Sequence, residues 1–510
     1  MDRRSFLRGA IVAAGGTVAV PLVGSAVGAQ PGPGPYGSLD GIEPDGNGII
    51  LPPGFTSRIV AIAGEPVGDS DYRWRVYPDG AAVFDDGAGG WYHTVNSEVF
   101  RPGFAGVSAI HYGPEGEIID SYQLLEGSNS NCGGGPTPWG TFLSGEEDFS
   151  GYGVIWECDP TGATPSVSRP AMGIFTHEAA AVDSDRQQVY MTEDQFDGLF
   201  YRFTPAKYPD LSEGLLEAAR IEEDQTVSWI EVPDPSATET LARKQLPGEA
   251  TAFLGGEGIW YHNDVVFWST KFDNVIHAIN TADQTYSRIY EADPAKVSEG
   301  TAILSGVDNL TVDAGSGDVY VAEDGGNMEI VIISPEGEVA PFLRIVDQDT
   351  SEITGPVFNP RRDRLYFSSQ RGPALNNAED VLPESEIKGK STGVTYEVTG
   401  PFRGIVPEPE PTPTAAPTVV TTPTAAPTTA PTPAPTAAPT PIPTPVSTAA
   451  PTPPATRAPT AAPTETIAAA ASSGGNGGGG GNTGIFVGVG VAAAAAVAAA
   501  LVTVRRRRAT

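Results

Sequence analysis

One local pattern recurs along the chain: a turn that contains Asp or Gly leads into a strand in which Val or Leu precedes an aromatic residue. Four such strands have aromatic positions 77, 53 and 46 residues apart, and the strand GTFLSGEE adds an interval of 48 residues before them. Most of these intervals are close to the roughly 40 to 50 residues of a four-stranded propeller blade. In chain order the aromatic positions are Phe142, Tyr190, Phe267, Tyr320 and Tyr366.

This spacing predicts an all-β fold, a six-bladed β-propeller that occupies residues 35–405. Six blades are favoured over seven because the 77-residue interval is long enough to hold an insertion. Asp210–Glu223 has the period of a short helix and is predicted to be that insertion. A large β-sandwich is the competing fold, but it does not explain why acidic pairs recur at the ends of equivalent strands. The residues that would share one face of the helix are Leu211, Leu215, Leu216 and Ala219.

The N terminus has the pattern of a twin-arginine export signal. Arg3 and Arg4 precede an apolar run, and the small residues Val27 and Ala29 predict cleavage after Ala29. Residues 1–29 are therefore expected to be a signal peptide.

The C-terminal part has a different composition. Residues 406–483 are rich in Pro, Thr and Ala and then in Gly, which predicts a disordered stalk. Residues 484–504 are uncharged and long enough to cross a hydrocarbon core of roughly 30 Å as one transmembrane helix, and the arginines of 505–510 predict a cytoplasmic tail. Together these segments predict a protein on the extracytoplasmic face of the cell membrane, anchored at its C terminus. The alternative is a sorting tail that is removed after export.

The net charge of −33 argues against nucleic acid as a partner, because phosphate binding needs clustered Lys and Arg. The acidity suits a compartment rich in divalent cations, although it would also keep an extracellular protein soluble. The sequence has no phosphate-binding Walker loop, dinucleotide fingerprint or evident Ser-His-Asp arrangement. We expect a monomer.

The stretch NCGGGPTPWGTFLSGEE, from Asn131 to Glu147, combines features that few folds need together. It places Cys132 beside a triple glycine and ends in Glu146 and Glu147. Glycine allows close approach of the backbone, a thiolate binds soft or borderline metals, and carboxylates bind hard cations. The stretch indicates a metal site, or otherwise a tight loop with a disulfide cysteine and two solvated glutamates.

Acidic pairs recur at strand ends elsewhere. Because a propeller brings equivalent ends of its inner strands together at a central channel, these side chains are expected to meet there and to need cations between them. The pairs are Glu146-Glu147, Glu193-Asp194 and Glu323-Asp324, and further polar residues beside strands are Glu98, His177-Glu178, Glu257 and Asp308-Asn309.

Four segments in this order carry a resemblance to a known family: NCGGGPTPWGTFLSGEE, FTHEAAAVDSDRQQVYMTED, GVDNLTVDAGSGDVYVAEDG and GPVFNPRRDRLYFSSQ. They resemble the PhoX-type alkaline phosphatases, which are secreted propeller-fold metalloproteins. The resemblance implies hydrolysis of a small phosphorylated substrate, a phosphate monoester, at a cluster of Fe3+ and Ca2+. It implies that Cys132 is the thiolate ligand of iron and that Glu147, Glu178 and Glu257 are metal ligands with catalytic roles. Glu323 is implied as a calcium ligand.

One position departs from the family pattern. An Arg-Pro-Glu sequence, whose arginine holds the substrate phosphate, is replaced here by Gly255-Gly256-Glu257. An arginine fork is the natural donor to phosphate oxygens, and no residue in the same segment replaces it. Lys271 or Arg371 could supply the charge from a neighbouring blade.

Two other functions stay open at this stage. The protein could be a surface metalloprotein of the same fold that binds without hydrolysing, or a calcium-dependent hydrolase of the lactonase type, which would contain calcium and no iron. The two cysteines could form one disulfide, but the position of Cys132 in the motif favours a metal-bound thiolate, with Cys158 as a free buried thiol.

Overall fold

The computed structural model describes residues 29–372 and 392–406, and within them the chain forms six sheets whose strand pairs are antiparallel except for one short parallel pair at the edge of one sheet. Three strands precede the first complete sheet. They are β1 (Gln30–Pro31), β2 (Ile49–Ile50) and β3 (Thr56–Ile62).

Each sheet is one blade, and consecutive strands of a blade are hydrogen-bonded neighbours. Blade 1 contains β4 (Pro78–Asp85), β5 (Trp91–Ser97), β6 (Ala105–Tyr112) and β7 (Ile118–Ser128). Blade 2 contains β8 (Asn131–Pro136), β9 (Phe142–Glu146), β10 (Ile155–Cys158) and β11 (Val167–Ser168). Blade 3 contains β12 (His177–Asp183), β13 (Gln188–Glu193), β14 (Phe200–Lys207), β15 (Asp210–Ile221) and β16 (Val227–Glu231).

The second half of the ring repeats the plan. Blade 4 contains β17 (Gly256–His262), β18 (Val265–Thr270), β19 (Val275–Asn280) and β20 (Thr285–Glu291). Blade 5 contains β21 (Val307–Val312), β22 (Val319–Glu323), β23 (Glu329–Ile333) and β24 (Glu338–Ile345). Blade 6 contains β25 (Ile353–Phe358), β26 (Arg364–Ser369) and β27 (Val394–Thr399).

The ring closes by pairing the two ends of the described chain. The N-terminal strand β3 is the fourth strand of blade 6, hydrogen-bonded to β27. The first strands of the blades, β4, β8, β12, β17, β21 and β25, each contact the first strand of the next blade and surround a central channel. The predicted six-bladed propeller is therefore confirmed.

The aromatic residues that set the predicted period all lie in second strands, in β9, β13, β18, β22 and β26. Tyr190, Tyr320 and Tyr366 are fully buried between blades. Blades 3 to 6 carry an aromatic residue at the same place of the second strand, where it fills space between neighbouring sheets, whereas the matching residue is Thr94 in blade 1 and Leu143 in blade 2.

The predicted helix at Asp210–Glu223 is wrong, because Asp210–Ile221 is the long strand β15. It pairs with β14 on one side and β16 on the other, which satisfies its backbone in both directions. Leu211 and Leu216 are buried, whereas Leu215 is 41% exposed. The 77-residue interval is instead filled by the fifth strand of blade 3 and a connection that holds the short helix α1 (Ala242–Gln245).

The other α-helix of the described residues is α2 (Pro294–Glu299). Neither helix, nor any other in the described part, has the length and hydropathy of a membrane span. The predicted signal peptide, apart from its last residue, and the stalk beyond Val406, transmembrane helix and tail lie outside the described residues.

Candidate metal centre

The second residue of each first strand defines what we call the first ring. In every blade the register between the first and second strands shifts just after this residue, so the first strand carries a bulge at the same place. A bulge takes residues out of the ladder and re-aims their side chains. The first ring consists of Asp79, Cys132, Glu178, Glu257, Asp308 and Thr354.

The residue that directly follows each second strand defines the second ring. Since first and second strands are antiparallel, the end of the second strand lies beside the start of the first, at the same end of the channel. The second ring consists of Glu98, Glu147, Asp194, Lys271, Asp324 and Gln370.

Polar side chains tie the bulged strands to their neighbours. They satisfy backbone carbonyls of the first ring that would otherwise be unpaired in the bulge. The donors lie two residues before the second-ring position, and the contacts are Asn96 Nδ2 to the Cys132 carbonyl at 2.6 Å, Thr192 Oγ1 to the Glu257 carbonyl at 2.6 Å and Ser269 Oγ to the Asp308 carbonyl at 2.5 Å.

The glycines after Cys132 allow the strands to approach the axis. A Cβ atom at Gly133 would lie 2.5 Å from Glu178 Oε1, and one at Gly135 would lie 1.9 Å from the Ala180 carbonyl oxygen. Any side chain at these positions would displace β8 from β12, so the triple glycine is required by the close contact that brings Cys132 and Glu178 together.

The two rings bring ligand atoms of separate blades close together. Four groups of three residues have ligand atoms that all lie within 4.8 Å of one another, and consecutive groups share members or neighbours. Two groups contain the thiol and two contain carboxylates alone. The groups are Asp79, Glu98 and Cys132; Cys132, Glu147 and Glu178; Glu178, Glu257 and Asp308; and Asp308, Asp324 and Glu352.

Two cationic side chains reach the described part of this cluster. Lys271 Nζ lies 2.7 Å from Asp194 Oδ2 and 2.5 Å from Glu257 Oε1. Arg371 binds Glu352 through both terminal nitrogens, at 2.7 and 2.9 Å. These two basic side chains therefore face nine acidic ones. The acidic residues are Asp79, Glu98, Glu147, Glu178, Asp194, Glu257, Asp308, Asp324 and Glu352.

Burial and mutual repulsion resist ionisation of these acids. Burial raises the pKa of Glu178 well above its usual value, and the charges of Asp79 and Asp308 raise it further. The same causes raise the pKa of Asp308 to about 7 and the pKa of the Cys132 thiol well above its usual value. Burial alone would lower the pKa of Lys271, but neighbouring carboxylates outweigh burial and raise it. Bound cations would remove the repulsion and favour the ionised ligands.

Glu178 gives the most direct sign of a missing partner. Glu178 is fully buried, and neither of its carboxylate oxygens accepts a hydrogen bond from a nitrogen or oxygen donor of the described residues. A buried carboxylate without such donors is costly unless it binds a cation. Cys132 and Cys158 are both buried and form no disulfide. The Cys132 thiol, which lies next to Glu178, is therefore available as a ligand.

The structure does not bring Glu323 to the cluster. Its carboxylate accepts backbone N–H groups of Ser305 and Glu329 inside blade 5, and Glu146 binds Asn129 and Val154 in the same way inside blade 2. Successive residues of a strand point to opposite sides, so the residue after each glutamate faces the channel. Asp324 therefore occupies the place for which Glu323 is predicted.

His177 also faces away from the channel. Its Nε2 atom lies 3.0 Å from the Gly173 carbonyl oxygen, and its ring stacks on Phe175 with centroids 3.6 Å apart. Burial lowers the pKa of His177 to about 3, so the ring is neutral. It positions the segment before β12 and makes no contact with Glu178 through its ring.

A cation does lie beside Gly255. The Lys271 backbone N–H donates to the Gly255 carbonyl at 2.9 Å, so the two residues are neighbours across blade 4. Lys271 is thus on the same blade as Glu257, not on a neighbouring one as the sequence suggested. Gly255 has φ of 73°, and a Cβ atom there would lie 2.6 Å from the Phe272 ring. An arginine at position 255 would not fit without moving that ring.

Sequence reasoning missed Asp79 and Glu352 as members of the cluster. Asp79 precedes Gly80 as Cys132 precedes Gly133 and Glu257 precedes Gly258. This acid-glycine or thiol-glycine pair at the start of a strand is the signal that would have found Asp79. Glu352 lies just before β25 and has no such signal.

We expect the cation-free protein to lose stability as pH rises. The pKa of Asp308 is raised to about 7 and that of Glu323 to about 8 in the fold, so above about pH 4 the folded state binds more protons than the unfolded state. The stability of the fold is therefore highest below about pH 4 and falls as pH rises through these two pKa values. With a chelator present, the melting temperature should fall by about 5–10 °C between pH 5 and pH 8. Circular dichroism melts at both pH values test this, and adding cations at pH 8 should restore the loss. A melting temperature that is constant or rises with pH would contradict it.

Comparisons with known proteins agree with this architecture. The family model described as alkaline phosphatase PhoX matches residues 104–372. Pseudomonas fluorescens PhoX in complex with vanadate, a transition state analogue, is similar in structure with a TM-score of 0.55 and 18% identity, covering 71% of this chain and 97% of that chain. At this identity the similarity shows the shared fold.

Two further structures are more distant. A gluconolactonase from Xanthomonas campestris has a TM-score of 0.36 and 11% identity, covering 68% of this chain and 100% of its own. A protein of unknown function from Bacteroides thetaiotaomicron has a TM-score of 0.40 and 10% identity, covering 68% and 76%. No curated protein sequence matches the chain.

Proposed function

Because the chain belongs to the alkaline phosphatase PhoX family, we propose that it is a metal-dependent phosphatase that hydrolyses phosphate monoesters at the two rings of the central channel. The family match confirms the resemblance carried by the sequence segments. The observation that supports the site is the fully buried Glu178, which lacks nitrogen and oxygen donors and lies between the Cys132 thiol and the carboxylates of other blades.

The donor atoms fit two kinds of cation. The groups that contain Cys132 combine one thiolate with carboxylates, which suits Fe3+, and the groups made of carboxylates alone suit Ca2+. Glu147 and Glu178 would share the iron side with Cys132, and Asp308, Asp324 and Glu352 would hold calcium. Glu257 is close enough to bind either a cation or Lys271.

Bound cations would supply Lewis-acid neutralisation of the phosphate dianion and of the developing charge on the leaving oxygen. The chain's own contribution is placement. The bulged strands fix the carboxylates in place, and the guanidinium of Arg371, held by Glu352, adds a fixed positive charge beside them.

Lys271 supplies the positive charge that an arginine at position 255 would have provided. Its backbone N–H binds the Gly255 carbonyl, and its ammonium is held by Asp194 and Glu257. Loss of arginine at 255 therefore does not leave this side of the site without a phosphate-binding charge, which favours hydrolysis over the binding-only alternative.

Export by the twin-arginine pathway and anchoring on the extracytoplasmic face of the membrane belong to the same proposal. They are supported by the sequence of residues 1–29 and 484–510. A monomer is proposed because all four groups of candidate ligands are formed within one chain.

The full-length protein produced through twin-arginine export should release phosphate from a generic phosphomonoester at alkaline pH. A chelator should abolish this turnover, and elemental analysis should find iron together with calcium. Calcium without iron and hydrolysis of lactones would support the lactonase alternative. Absence of chelator-sensitive phosphate release in protein that carries both metals would contradict the proposal.

A further inference from the structure

Four phenylalanines lie exposed beside the metal centre at related positions. Phe100, Phe149 and Phe196 each follow a second-ring residue by two positions, and Phe272 directly follows Lys271. Their exposed fractions are 64%, 53%, 56% and 43%. Repetition of a large apolar side chain at one end of four successive blades indicates a common function for the surface.

The four rings form two stacked pairs, each across neighbouring blades. Phe100 and Phe149 have centroids 5.9 Å apart with an interplanar angle of 25°, and Phe196 and Phe272 have centroids 4.0 Å apart with an angle of 14°. We call these four residues the phenylalanine crescent. It spans blades 1 to 4.

Blades 5 and 6 differ at the corresponding positions. Gly326 and Gly372 follow their second-ring residues by two positions, so no side chain stands there. Among the described residues, the row of exposed phenylalanines is therefore confined to blades 1 to 4.

The crescent borders the charged groups directly. Lys271 Nζ lies 5.7 Å from the centroid of the Phe272 ring. A Cβ atom built on Gly255 would lie 2.6 Å from that ring and 3.1 Å from Asp194 Oδ1, so the ring and the carboxylate line the same small space. A molecule whose charged end is held by Lys271 therefore has the Phe272 ring, stacked on Phe196, within reach of its remaining part.

We propose that the phenylalanine crescent binds the organic part of the substrate and selects phosphate monoesters of aromatic alcohols. The inference rests on the proposed function and names its substrate class. Flat aromatic groups can stack on the exposed ring faces, whereas anionic organic groups would be repelled by the nine carboxylates around the channel.

Two non-hydrolysable ligands of equal charge test the inference on the metal-loaded, full-length protein. Calorimetry would compare phenylphosphonate with methylphosphonate on wild type and on the double variant F196A/F272A. The variant should lose about three- to tenfold in affinity for phenylphosphonate and less than about twofold for methylphosphonate. The double variant I119A/V167A, which removes exposed apolar side chains from the outer strands β7 and β11, should change neither affinity.

The outcomes separate this inference from the proposed function. Equal affinities for the two ligands in wild type, or an equal loss for both in the variant, would overturn the role of the crescent while the phosphatase proposal stands. No binding of either ligand together with no phosphate release would overturn both. The variant F272L keeps the apolar volume and removes the ring face, so it gives the same test if F196A/F272A does not fold.

Discussion

Substituting Glu178→Gln should weaken metal binding at the two ligand groups that contain Glu178 and lower phosphatase turnover by at least about 10³-fold, which corresponds to on the order of 4 kcal/mol of transition-state stabilisation. Glu178 belongs to two of the four ligand groups, and its oxygens have no nitrogen or oxygen donors in the described chain. Glutamine has the same shape, but it removes one negative charge and points an NH2 group at the cations. The loss would therefore come from electrostatics and not from packing.

Glu323→Gln is the matched control. Glu323 is also buried and its pKa is also raised by burial, but its carboxylate accepts backbone N–H groups within blade 5. The control should keep its metal content and its turnover while its melting temperature falls. Elemental analysis and steady-state kinetics on both variants decide the matter. Metal loss that is equal in the two variants would contradict the assignment.

The number and order of blades could be predicted from sequence because the signal is a packing requirement. The second strands of blades 3 to 6 carry an aromatic side chain at the same place, and Tyr190, Tyr320 and Tyr366 are fully buried there. The family segments gave Cys132, Glu147, Glu178 and Glu257, which the structure brings together. Their catalytic roles stay predictions until turnover is measured.

The ring geometry could not be read from sequence for a physical reason. A bulge exists only in relation to the partner strand, and it is the bulge that aims Asp79 or Glu178 at the axis. In the same way, strand alternation puts Glu323 and Asp324 on opposite sides, but the sequence does not say which side faces the channel. The predicted ligand, Glu323, is thus one residue away from Asp324, which the structure places in the cluster.

The mistaken helix has a different cause. Leu211, Leu215, Leu216 and Ala219 match a helical stripe, and a short window cannot distinguish this from a strand that is partly exposed. Pairing with β14 and β16 decided the outcome, since long-range pairing overrides local preference. Leu215, on the exposed side of β15, is the residue that made the pattern look helical.

Substituting Lys271→Met should lower kcat/KM for phosphate monoesters by about 100-fold, mainly through a higher KM. The change removes a charge-assisted contact to phosphate, worth about 1.5–3 kcal/mol, and leaves Asp194 and Glu257 without their partner at 2.7 and 2.5 Å. Uncompensated carboxylates would repel the phosphate dianion, so inhibition by vanadate should weaken in parallel. Lys271→Arg should recover part of the loss.

Lys244→Met is the control for removing a lysine near the same blades, because Lys244 pairs with the half-exposed Asp197 and contacts no member of the two rings. It should leave KM and vanadate inhibition unchanged.

Metal content must be measured on each variant, since a site that gained a cation after loss of Lys271 would show that the ammonium had occupied a cation position. An unchanged KM and vanadate inhibition in Lys271→Met, with normal metal content, would mean that Lys271 only neutralises Asp194 and Glu257 and that phosphate is held elsewhere. In that case Arg371, fixed by Glu352 across the mouth, would be the remaining basic side chain of the described cluster to test.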